Sequence, residues 1–133
     1  MMDSDFIITD DVKNLVWSKA LPIDGYPQNK VRKDACGALI VYDDYDKEDS
    51  LFGWNIDFIV PLVILRDKGV DETLIKDIRN MRPLNIANIL SKGDSYPYYT
   101  AARMAEGTTN KDVVSNKVVN DVVQEELKQL YSL

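Results

Sequence analysis

The chain has 133 residues, 45% of them apolar, which is the size of one ordinary domain with enough side chains to bury a core. Its 22 acidic residues outnumber 16 basic ones for a formal charge of -6, a field that opposes phosphate-rich partners and makes free nucleic acid a disfavoured ligand. One cysteine, Cys36, and no histidine exclude an internal disulfide and a Cys/His zinc site, and they fit a reducing intracellular setting.

The N-terminus, Met1 to Asp5, is acidic and lacks the basic n-region of a secretory signal. Thr9 with Asp10 and Asp11 makes a helix start, and Val12, Leu15 and Val16 form an apolar stripe ending near Ala20-Leu21-Pro22. From Pro22 to Lys33, Gly25, Pro27 and Asn29 predict an irregular connection. Two β-branched and aromatic runs follow, Ala38–Tyr42 and Trp54–Val60, and they are expected to pair as a hairpin across an acidic, solvated loop. Leu51–Leu65, the longest apolar stretch, is broken by Asn55, Asp57 and Pro61 and falls short of the roughly 20 residues of a membrane span, so no membrane partner is expected.

Acidic residues at Asp71-Glu72 ahead of Leu74-Ile75 predict another short helix. Ile86, Ile89 and Leu90 recur at helical spacing up to a stop at Gly93. Tyr96–Tyr99 opens a region of poor alternation, and Ala101–Glu106 fits a further helix. Thr109, three residues before Asp112, resembles a capping box, and Val114, Val118, Val122, Leu127 and Tyr131 then predict an amphipathic C-terminal helix that gains its stability by packing.

Five blocks in order carry a family resemblance: Val16–Ala20, Arg32–Ala38, Gly53–Pro61, Asn80–Leu84 and Asn88–Asp94. Together they resemble one branch of the His-Asn-His (HNH) endonucleases over about residues 16–94. The resemblance implies an α+β fold: a ββα-metal core, a β-hairpin and a helix clasping one divalent ion, with additional N- and C-terminal helices. The whole chain, 1–133, is then a single HNH-like domain with a helical extension over about 100–133.

In working members the second strand ends in an Asp-His pair, in which the aspartate binds metal and the histidine takes a proton from water. Here the pair is Asp57-Phe58, and a phenyl ring accepts no proton. The family's central asparagine matches Asn80, whose implied role is to hold the loop. Its last metal ligand, three residues before a lysine on the helix, falls at Ile89 given Lys92, and isoleucine has no lone pair to offer. Asn88 lies about 100 degrees further round the helix. The resemblance thus implies a degenerate site at Asp57, Phe58, Asn80 and Ile89, with Asp57 the residual metal candidate and Phe58 packed against Ile89 across the former metal position. No catalytic residue and no cofactor are expected.

Three functions follow. The first is an inactive scaffold that binds proteins or takes part in an assembly, with Tyr96–Tyr99 and the C-terminal helix as contact surfaces. The second is a non-cutting nucleic-acid binder that contacts phosphates through Lys30, Arg32, Lys33, Arg82 and Lys92. The third is a residual metal-dependent endonuclease with displaced ligands drawn from Asp34, Asp94 or Glu106. The scaffold reading ranks first on charge. The distribution of the family implies a viral or mobile-element origin, hence a place in the cytoplasm or within a virion.

Overall fold

The structure, a computed structural model, describes residues 8–133. The acidic segment Met1–Asp5 lies outside the described residues. The fold is mixed α+β: short helices packed on three small antiparallel sheets.

Helix α1, Asp10–Trp17, starts where the sequence places it, with the Thr9 hydroxyl accepting from Val12 N at 3.2 Å. Strands β1 (Leu21–Pro22), β2 (Val31–Lys33) and β3 (Leu39–Val41) form the first sheet in that order. The expected partnership of the 38–42 run with the 54–60 run is therefore corrected. β3 pairs with β2, and β4 (Trp54–Phe58) pairs with β5 (Met81–Asn85). Pro83 sits in β5 opposite Ile56, and in a two-stranded sheet every strand is an edge, where a missing N–H is tolerated. Between β4 and β5 run two short helices, α2 (Leu62–Asp67) and α3 (Glu72–Ile75).

β5 passes directly into helix α4, Ile86–Lys92, whose cap is Asn85 accepting from Ala87 N at 3.1 Å. The helix ends at Gly93, φ 53°, in the left-handed region that glycine enters without strain. The C-terminal third departs from the sequence reading. Residues 98–118 are no helical extension but a hairpin of β6 (Tyr98–Glu106) and β7 (Thr109–Val118), turned at Gly107 with φ 61°. Only Asp121–Tyr131 is helical, as α5, capped by Asn120.

The apolar residues fall into two clusters on opposite faces of the β4–β5 ribbon. Alternation along β4 sends Trp54, Ile56 and the edge-packed Phe58 to the α1 side, where Trp17 meets Trp54 with ring centroids 5.1 Å apart. On the other face Leu84 joins Val60, Leu65, Ala101 and Leu127, which gather α2, β6 and α5 into the larger cluster. The ribbon that carries the polar residues discussed below is thus clamped from both sides.

Candidate functional site

The alternation that turns Phe58 towards α1 turns Asp57 the other way, towards α4. Asp57 stands opposite Arg82 in the β4–β5 ladder, and Arg82 Nε donates to its Oδ2 at 2.9 Å. Lys92, in the last turn of α4, brings Nζ to 3.4 Å from Oδ1 of the same carboxylate and donates to Phe58 O at 3.1 Å. The side chains of Lys92, Asp57 and Arg82 are only 1%, 6% and 11% exposed, so these are interior charges. Burial lowers the Lys92 ammonium below its ordinary value while Asp57 opposes the shift. Arg82 also lies over the Tyr99 ring, 5.2 Å from its centroid, which offers the cation an electron-rich face.

One carboxylate thus faces two buried cations. The excess is visible in the hydrogen bonding, since Arg82 Nη2 is buried without a partner among the described residues. No group of three His, Cys, Asp or Glu side chains among the described residues is placed to hold a metal ion.

Asn80 is fully buried just ahead of β5, and its amide closes a two-way clasp on Val60: Val60 N donates to Oδ1 at 2.8 Å and Nδ2 donates to Val60 O at 3.0 Å. It fastens the chain leaving β4 to the chain entering β5. Ile89 packs against the larger cluster, whereas Phe58 packs against the smaller one, so the expected Phe58–Ile89 contact core is replaced by two separate packings. The reason is the strand period: neighbours in sequence face opposite sides, and only Asp57 shares a side with α4.

Asp34, Asn85, Asn88 and Asn110 form a buried polar hub that the sequence reading did not find. Asp34 accepts from Cys36 N and Ala38 N, each at 2.9 Å, from Asn85 N at 2.8 Å and from Asn88 Nδ2 at 3.1 Å. Burial pushes its carboxyl up, and these four donations pull against that. Asn88 Oδ1 in turn accepts from Ala102 N and Arg103 N, both at 2.8 Å, at the point where the β6–β7 register slips. The amide satisfies the donors that a bulge leaves unpaired. Asp34 is thereby fully engaged in structure, while Asp94 and Glu106 are exposed, Asp94 near enough to Lys92 to act on its charge.

The basic residues expected to contact phosphates are not a common surface. Arg82 and Lys92 point inward at Asp57. Arg32 donates to Gln28 O at 2.8 Å and Ala20 O at 3.0 Å, and lies over the Trp17 ring. Lys30 is exposed, and Lys33 is half-buried on the wall of a cleft.

That cleft, about 680 Å³, opens between the end of α1, β5 and α5. Its apolar lining includes Ile59, Met81, Val119 and Val123. Lys19, Lys33, Arg79 and Arg82 also line it, against a single acid, Glu126. Two of these cations are committed at their tips: Lys19 Nζ donates to Met81 O at 2.7 Å, and Arg79 Nη2 is 2.8 Å from Asp77. Burial lowers the Lys19 ammonium, with Glu126 and Asp77 opposing. No protein-family model, no curated protein and no solved structure matches the chain.

Proposed function

We propose that this chain is a non-catalytic protein on an HNH-like ββα frame that serves as a structural or protein-binding component. The observation that carries the reading is the state of Asp57. In the proposed frame β4 and β5 are the two strands and α4 the helix, which puts Asp57, the surviving metal ligand, on the first strand of the pair where the sequence reading expected the second. Its two oxygens are taken by Arg82 and Lys92, so fixed side-chain cations stand where the frame would hold a divalent ion. Phe58 beside it supplies no base, and Asn80 keeps a loop-holding role.

The apolar side chains left in solvent favour a protein partner. Tyr98 and Val118, directly paired across β6 and β7, are 75% and 50% exposed, and Val122 at the start of α5 is 78% exposed. Tyr98 and Val122 belong to the two segments proposed as contact surfaces, and Val118 lies beside Tyr98 on β7. Nucleic-acid binding ranks below, because three of its five proposed cations are engaged within the chain.

Two assays on the purified protein test the reading. Supercoiled plasmid incubated with the protein and magnesium, manganese, nickel or zinc is expected to stay uncut, and isothermal titration is expected to give no specific heat for any of these ions. Metal-dependent nicking that disappears in Asp57→Ala overturns the non-catalytic assignment. Native purification at moderate salt is expected to retain a stoichiometric protein that Tyr98→Asp with Val118→Lys releases. Co-purifying nucleic acid in its place would restore the binder reading.

A further inference from the structure

Of the four cations that line the cleft, Arg79 and Arg82 are paired with Asp77 and Asp57 and Lys19 is hydrogen-bonded to Met81 O, which leaves Lys33 without a counter-ion, in a chain whose overall charge is -6. Lys33 Nζ has no ion-pair or hydrogen-bond partner among the described residues, whereas Arg82, which also lines the cleft, is held inward by Asp57. A half-buried ammonium without a counter-ion gains when an acceptor arrives, and an oxyanion offers it a charge-assisted hydrogen bond. The remaining lining is largely apolar, and a volume of about 680 Å³ fits a small organic molecule, not a bare ion.

We propose that this cleft binds a small amphipathic anion, an apolar body carrying one carboxylate, sulfonate or phosphate group, with Lys33 as the donor to the anionic group. The apolar body lies against Val119, Val123 and Met81. This site is independent of the HNH-like frame: it rests on the cleft and its unmatched lysine, and it stands or falls whether or not a metal once occupied the position beside Asp57.

The test uses 8-anilinonaphthalene-1-sulfonate as an anionic probe and N-phenyl-1-naphthylamine as its neutral counterpart, each titrated into the full chain by fluorescence and by amide chemical shifts. The anionic probe is expected to saturate at one site, with shifts confined to residues around the cleft, and to bind more tightly than the neutral one. Lys33→Glu is expected to weaken the anionic probe about tenfold, as for loss of one charge-assisted contact, and to leave the neutral probe unchanged. Lys30→Glu makes the same change in net charge on an exposed residue outside the lining and is expected to shift the affinity less than about twofold. Equal weakening by the two variants overturns the proposal, because it reduces the effect to bulk charge. So does non-saturating binding, or shifts spread over the whole chain. Thermal melts of both variants verify the fold, and Leu21→Asp, at a cleft residue that is 60% exposed, gives a second disruption without disturbing the core.

Discussion

Asp57 is where residue chemistry and fold meet most closely, because two positive side chains share one carboxylate in a nearly dry interior. Removing charge from the shared member leaves two cations facing each other with no counter-ion, which is worse than losing one attraction. Asp57→Asn, though nearly isosteric, is therefore expected to cost about 3–5 kcal/mol in urea denaturation. Adding Lys92→Met to it removes one orphaned cation and should recover part of that loss, a coupling that a double-mutant cycle reads directly. If Asp57→Asn stays within about 1 kcal/mol of wild type, the cluster is solvated and the proposed replacement of a metal charge by side chains loses its basis. Gly53, at the entrance to β4, shows a steric demand at the same scale: a Cβ there would come within 2.0 Å of the Lys47 carbonyl oxygen.

Among the elements, α5 holds its place through one face. Leu127 is fully buried, and Tyr131 donates its hydroxyl to Leu74 O at 2.8 Å, tying the C-terminal helix to α3. Leu127→Ala should cost about 2–5 kcal/mol, whereas Val122→Ala, on the exposed face of the same helix, should move stability by less than about 0.5 kcal/mol; chemical denaturation of the pair checks both. Equal effects would mean that α5 does not dock as described. The helices α1 and α4 are legible in the sequence because their caps, Thr9 and Gly93, are local signals. β7 is not legible, because Val114 and Val118 are spaced by four, a separation that suits one face of a strand and one face of a helix alike. The signal that distinguishes the two is Gly107, a two-residue hairpin turn between Glu106 and Thr109. The β4–β5 partnership was hidden by distance along the chain and by Arg82 and Pro83, which make a poor strand pattern. The resemblance singled out Asp57, Asn80 and Lys92, which the structure buries, but nothing local announces that Lys92 turns inward: a lysine near a helix end reads as a solvated charge until its partner is known.

At the level of the whole molecule, three groups from separate parts of the chain keep their protons longer when folded. Cys36 lies in the larger cluster with Sγ 3.7 Å from the Tyr99 hydroxyl; burial and then the Asp34 charge push its thiol from 9.0 up to about 11, while Tyr99, Arg82 and Lys117 pull the other way. Burial lifts Tyr99 from 10.0 to about 12 against the opposing Arg82 charge, and Tyr131 to about 12 with Asp77 adding to the rise. Through these windows the unfolded chain has released protons that the folded chain still holds. Stability therefore falls as pH rises from about 9 to 11 for the thiol and from about 10 to 12 for the phenols. Lys19 and Lys92 act in the opposite sense, since their lowered values make the folded chain release protons first and add stability as pH approaches 10.5. Comparing wild type with Cys36→Ala cancels the lysines and reads the thiol together with its coupling to Tyr99. Relative to its standing at neutral pH, the variant should gain about 2 kcal/mol on wild type by about pH 10.5, read from urea midpoints at the two pH values. Parallel pH curves for the two proteins would place the Cys36 thiol in solvent and separate it from the core that joins β6, α5 and the arm between β2 and β3.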